Sequence, residues 1–181
     1  MILPQSLIAL VAALGFTAVA YAEFPDGTYA GEILSDGSYH WTSVTNSSET
    51  YTTAPNTGTP PATISARGTH LSKRRTDCWG TSLSHSGVDI AANGLRNWAG
   101  EGHQYNSGNR NAVMMAKSQG VMVYYCINRP HSSGNLDRAD VDYALRQMDS
   151  KCRLYEAGWF GWDGSVEIVG KCRDSDAICL G

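Results

Sequence analysis

The sequence predicts an α+β domain: a two-layer α/β sandwich with two helices on one face of a mostly antiparallel sheet, in the order β-α-β-β-α-β-β. Three observations lead there. Two apolar stripes of helical period stand at Val88–Ala99 and Val141–Cys152. Between them lie two short apolar runs rich in β-formers, and after the second stripe two more runs flank an Asp-Gly turn. Amphipathic helices laid on an antiparallel sheet bury all of these faces together.

Each element has its own local reason. A short strand is expected around Asp77 to Gly80. The first helix follows, with Val88, Ala91, Ala92, Leu95, Trp98 and Ala99 on one side. Ser86-Gly87-Val88-Asp89 reads as a capping box at its start and Gly100 as its stop. Ala112–Ala116 and Val121–Ile127 read as strands joined by a turn over Lys117–Gly120. The second helix begins near Asp137, with acidic residues crowding its first turn and Lys151 and Arg153 near its end, as the helix dipole favours. Leu154–Phe160 and Ser165–Gly170 then form a hairpin around Trp162-Asp163-Gly164.

The chain has 181 residues, 17% charged, with a net charge of −3. So balanced a charge does not suit a protein dominated by phosphate-backbone binding, so no nucleic-acid partner is expected. The opening MILPQSLIALVAALGFTAVAYA carries an apolar run from Leu7 to Ala20 and a small-x-small end at Ala20-Tyr21-Ala22. It reads as a secretory signal peptide over residues 1–22, cut after Ala22, and it is short for a membrane span.

Residues 23–75 hold 17 Ser or Thr, four of the six prolines and no cysteine. This composition reads as a propeptide or a flexible Thr/Pro-rich segment, most clearly over Thr52–Thr63. Asp26-Gly27 and Asp36-Gly37 suggest a weak hairpin, and Asn46-Ser47-Ser48 is a glycosylation sequon. Ser72-Lys73-Arg74-Arg75 supplies a dibasic junction for a processing protease. On this reading the working domain is 76–181, a small unit that disulfides would help to hold.

All five cysteines lie between Cys78 and Cys179. Their expected places favour Cys78–Cys152 and Cys126–Cys172, each worth about 2–4 kcal/mol in the chain-entropy model. Cys179 is then left over, to pair with Cys172 instead, to join two chains into a dimer, or to stay free. A monomer is otherwise expected.

No nucleotide-binding glycine pattern, metal-ligand spacing or nucleophile elbow is present, so no cofactor or metal and no catalytic residue is expected. Two groups nevertheless stand out. Trp159, Phe160 and Trp162 near a hairpin tip offer a contact surface for a membrane, glycan or protein. Glu101, His103 and Arg110 supply an acid, a base and a cation, the set a small secreted ribonuclease-like enzyme would need.

A signal peptide, a dibasic junction and a disulfide-tied α/β domain resemble the secreted killer toxin of smut fungi and the related necrosis-inducing effectors of plant-pathogenic fungi. The resemblance is carried by Asp77-Cys78-Trp79-Gly80, Gly120–Cys126, Asp137–Val141, Cys152 and Gly158–Cys172. It implies the two-layer sandwich. It also implies that the first-strand cysteine joins the one at the end of the second helix, which singles out Cys78–Cys152 where placement only allowed it. The toxin is much richer in cysteine, and the effectors' usual glycine after their first cysteine is Trp79 here. The resemblance implies a secreted effector or toxin that binds a host or competitor cell-surface protein, membrane or wall component without catalysis. A wall or glycan-binding protein is the other non-enzymatic expectation.

Overall fold

The computed structural model of the protein describes residues 24–54 and 75–179. In chain order its elements are β1 (Gly27–Ile33), β2 (Tyr39–Ser43), β3 (Thr50–Thr53), β4 (Arg75–Ser82), α1 (His85–Ala99), β5 (His103–Asn106), β6 (Ala112–Ser118), β7 (Val121–Ile127), β8 (Ser133–Leu136), α2 (Arg138–Lys151), β9 (Glu156–Gly161) and β10 (Glu167–Arg173). Eight strands form one sheet in the order β3-β2-β1-β6-β7-β10-β9-β4, while β5 and β8 pair as a separate ribbon. Every neighbouring pair is antiparallel.

The centre of the sheet is the β6–β7 hairpin, buried along its whole length. Its turn is Gln119-Gly120, both with positive φ (50° and 73°), the two-residue geometry that matches the twist of paired strands. Lys117 and Ser118, expected in the turn, therefore continue the strand. Both helices lie on one face. Ala91, Leu95, Val141, Ala144 and Met148 pack with Met114, Val123, Tyr125, Phe160 and Val169 in one cluster. The opposite face gathers Tyr29, Trp41, Val113, Met115, Tyr124, Cys126, Trp159 and Cys172.

The helix ends follow capping chemistry. Helix α1 is capped by Ser84, whose side chain accepts from the Gly87 amide, so it begins before the expected Ser86 box. Gly100, at φ 58°, ends it. Helix α2 has a reciprocal capping box between Asp137 and Asp140.

Residues 24–54, expected to lie outside the domain as a propeptide or flexible segment, are part of the sheet. Strand β1 pairs with β6 from Gly27↔Lys117 to Glu32↔Ala112, and β2 and β3 extend the sheet beyond it. The physical reason is alternation. Tyr29, Gly31 and Ile33, then Tyr39 and Trp41, send one side inward, while Ala30 and Glu32, then His40 and Thr42, take the other side. Averaging this stretch with the Pro/Thr-rich residues after it hid the pattern. Gly31 is required here, because a side chain at that position would collide with the Trp41 ring. The β1–β2 turn contains Asp36-Gly37, with Gly37 at φ 82°. Residues 1–22, the Ala22 cut and the segment from 55 to 74, with Lys73 and Arg74, lie outside the described residues.

The seam between 24–54 and the rest is held without covalent bonds. Lys117 is buried on β6, donates to the Phe24 carbonyl at 2.8 Å and pairs with Asp174 at 3.1 Å. Asp26 accepts from the Gln119 amide at 3.0 Å. The Tyr39 hydroxyl bonds the Ile178 carbonyl at 3.3 Å, clasping the tail after β10. Phe24 stacks on Trp41 at 6.0 Å, and Trp41 on Tyr39 at 5.4 Å.

Cys78 is bonded to Cys152, with Cα atoms 5.6 Å apart. The second bond is Cys126–Cys179, Cα atoms 5.7 Å apart, and Cys172 is free and buried. The expected Cys126–Cys172 pairing is corrected by register. On the β7–β10 ladder Cys126 faces Ile168, while Cys172 faces Met122, four positions along. That offset is roughly 13 Å at strand spacing, far beyond the reach of a disulfide. The tail instead folds back over the face opposite the helices and brings Cys179 to Cys126. Of the three fates open to Cys179, pairing with Cys172, joining two chains or staying free, none is found: it is bonded to Cys126 inside the chain. Two disulfides indicate an oxidising compartment. Among the described residues no helix is long and apolar enough to cross a membrane.

Candidate functional site

The β1–β2 hairpin sets Glu32 directly opposite His40, and Ala30 opposite Thr42. Strand alternation sends these side chains to the helix-bearing face, because Tyr29, Gly31, Tyr39 and Trp41 occupy the other. Helix α1 packs mainly on β6 and β7. The shoulder made by β1 and β2 thus keeps Glu32 exposed and His40 and Thr42 half-buried. Opposed residues on such a pair hold their Cβ atoms about 4.5–5.5 Å apart, so the two side chains leave the sheet as neighbours. His40 Nδ1 lies 3.4 Å from the Thr52 hydroxyl on β3.

The facing wall is the connection between β5 and β6. Together the two walls enclose a cleft of about 570 Å³, into which Tyr105, Asn106, Gly108, Asn109 and Arg110 project from the loop side. Buried Ser107 anchors this loop. Its hydroxyl lies 2.5 Å from the Arg129 carbonyl and accepts from the Ser132 amide at 2.9 Å. The His131 amide donates to the Gly108 carbonyl at 2.8 Å. Tyr105 donates to the Val113 carbonyl at 2.8 Å, and burial first of all pushes its hydroxyl up to about 12. The ring is therefore a fixed neutral wall. Arg110 also reaches the field of the β1–β2 turn. Asp36 there is held below the usual carboxylate range mainly by hydrogen bonds from Ser38, with Arg110 adding a smaller pull.

The cleft is composite: one wall comes from residues 30–42 and the other from 105–112. It brings together one carboxylate, one imidazole, one guanidinium and two amides, a set able to bind and to move protons around an oxyanion.

Most sequence-level candidates fall elsewhere. Of Glu101, His103 and Arg110, only Arg110 lines the cleft. His103 opens β5, with its ring stacked on Trp98 at 4.2 Å and its Nδ1 3.1 Å from the Trp98 carbonyl. Glu101 is exposed in the turn before it. The aromatic contact surface is corrected: Trp159 and Phe160 are 3% and 0% exposed, on opposite faces of β9. Trp162 is half-buried edge-on against Phe160 at 5.1 Å. Each face of β9 meets one of the two core clusters, so Trp159 and Phe160 pack inward and Trp162, just past the strand, leans on the helix-side cluster. Arg75, the last residue of the dibasic junction, is the first residue of β4 and lies 4.4 Å over the Trp159 ring. Asn46 is exposed in the turn between β2 and β3, accepting from the Ser48 hydroxyl at 2.7 Å.

Reading residues 23–75 as a propeptide or flexible segment leaves Glu32 and His40 out of the candidate site. A signal was present: they lie symmetrically, four residues before and four after Asp36 in an Asp-Gly turn. Residues equidistant from a hairpin turn face each other.

A second groove, of about 340 Å³, runs between the helices. Most of its charges are paired: Arg96 with Asp142 at 2.7 Å, Lys171 with Asp149, and Asp89 with the Tyr155 hydroxyl. Among the described residues no group of three or more His, Cys, Asp or Glu is placed to hold a metal ion. No family model, curated protein or solved structure matches this chain.

Proposed function

We propose that this is a secreted, disulfide-tied protein that acts on another cell by engaging a phosphate-bearing ligand in the cleft between the β1–β2 shoulder and the β5–β6 loop. The observation that carries this reading is the convergence of Glu32, His40 and Arg110 on one cleft, with Asn106 and Asn109 beside them. A guanidinium, an imidazole and side-chain amides are donors suited to phosphoryl oxygens. The leader-like residues 1–22 and the two disulfides support secretion.

The effector or killer-toxin-like role, and the α/β sandwich akin to that toxin, belong to the same proposal. They are supported by the helix pair on one sheet face and by the Cys78–Cys152 bond. Three strands ahead of β4 and the Cys126–Cys179 bond are additions to the expected pattern. The partner surface moves from the buried aromatic cluster to this polar cleft.

Titration of isotope-labelled protein with inorganic phosphate tests the reading. Shifts concentrated at His40 and Asn106–Arg110, and lost in Arg110→Gln, support it. Saturating phosphate that leaves those signals unmoved refutes it.

A further inference from the structure

We propose that the cleft cleaves single-stranded RNA by internal transphosphorylation, with Glu32 as the base, His40 as the acid and Arg110 on the phosphoryl oxygens. This activity rests on the cleft being a phosphate site and adds to it a substrate class and a reaction.

The chemistry of the lining selects the substrate. Glycoside hydrolysis uses two carboxylic acids flanking the scissile bond, and this cleft offers one, Glu32. Acyl or phosphoryl transfer through a covalent enzyme intermediate calls for an activated nucleophile; the cleft is lined by no serine or cysteine, and its hydroxyls are Thr42 and Tyr105, the latter committed to the Val113 carbonyl. An adjacent carboxylate and imidazole facing a guanidinium match a reaction whose nucleophile belongs to the substrate itself. RNA carries such a group, the ribose 2′-hydroxyl beside its own phosphodiester.

The step balances without a co-reactant. The Glu32 carboxylate takes the 2′-hydroxyl proton as the 2′-oxygen bonds to phosphorus. The bond from phosphorus to the 5′-oxygen breaks as the His40 imidazolium gives that oxygen a proton. The products are a 2′,3′-cyclic phosphate and a 5′-hydroxyl, and the two side chains exchange protons with water to reset. Charge gathers on the non-bridging oxygens, where the Arg110 guanidinium is worth most. Glu32 and His40 come from opposed positions on rigid paired strands, which fixes their spacing. Asn106 and Asn109 line the same cleft and add amide donors beside Arg110.

The experiment uses the secreted protein with a 5′-labelled single-stranded RNA oligonucleotide and its all-deoxy counterpart. Expected are RNA fragments ending in 2′,3′-cyclic phosphate, an uncut deoxy strand and a bell-shaped pH–rate profile. Glu32→Gln and His40→Gln should each lower the rate by about 10²–10⁴-fold, with Glu32→Gln also losing the acidic limb of the profile. Both variants should keep the disulfides and unfolding midpoint of the parent, so a rate loss is not a loss of fold. Absence of cleavage, or cleavage unchanged in both variants, overturns the proposal. If the deoxy strand shifts the His40 and Arg110 signals while RNA stays uncut, cleavage is overturned and phosphate binding in the cleft stands. If nothing binds, both fall.

Discussion

Residues 24–54 and 75–179 share one sheet but are held in opposite ways. The later region carries both helices and both disulfides. The earlier one has no cysteine and no helix, and is fastened by a β-ladder, an aromatic stack and the buried Lys117. Covalent ties therefore mark which part withstands opening, and they do not mark where the domain ends. The cleft lies on the seam, so its integrity depends on the weaker half.

Removing the earlier half is the most severe way to break this comparison. A chain beginning at Arg75 would bare the β6 edge and uncover Val113 and Met115, both 0% exposed in the whole protein. It is expected to aggregate or to unfold without a cooperative transition, as seen by circular dichroism and sedimentation. A soluble fragment with the parent's melting temperature would contradict this.

A single ring asks the same question more gently. Trp41 is 2% exposed between Phe24 and Tyr39. Trp41→Ala should cost about 3–5 kcal/mol in denaturant unfolding. The loss should also flatten the His40 response to phosphate, since His40 is its neighbour on β2.

The covalent half can be loosened separately. Cys179→Ser should cost about 2–4 kcal/mol by freeing the tail from β7. Cys172→Ser removes no bond. Burial pushes the Cys172 thiol well above its ordinary value, so alkylation followed by mass spectrometry should find it unreactive until the protein is unfolded.

The smallest effect concerns Glu156, which joins Gly80, where the β4–β9 register shifts between Cys78 and Ser82, to Arg153 just after α2. Its carboxylate accepts from the Gly80 amide at 2.6 Å and the Arg153 amide at 3.0 Å. The Arg153 backbone hydrogen bond, with that of Gly80, holds the carboxyl below its usual 4.5. A depressed carboxyl adds stability above its unfolded value and loses it as pH falls through the folded one. Glu156→Gln should cost about 1–2 kcal/mol at neutral pH, and the gap from the parent should close in melts run below pH 4.

The sequence made the later half readable because its signals are local and redundant. Helical stripes, an Asp137 cap and an Asp163-Gly164 turn each name an element without knowledge of its neighbours. The disulfide partner of Cys126 was not readable, since it depends on strand register and on a tail that folds back. The cleft was half readable. Arg110 drew attention beside His103, but its partners come from a hairpin seventy residues earlier, and only the sheet brings them together. Alternation in β1 and β2 was visible in the letters, yet Ser and Thr content suggested disorder when no aromatic partner for Tyr29 or Trp41 could be named. Ribbon strands β5 and β8 carry almost no apolar pattern, being largely exposed.

Amide hydrogen exchange on the whole native protein tests the central claim that the first three strands belong to the working domain. Amides of Gly27–Glu32 should be protected and should open together with those of Ala112–Lys117 on β6. Free exchange in β1, with β7 and β10 still protected, would contradict it.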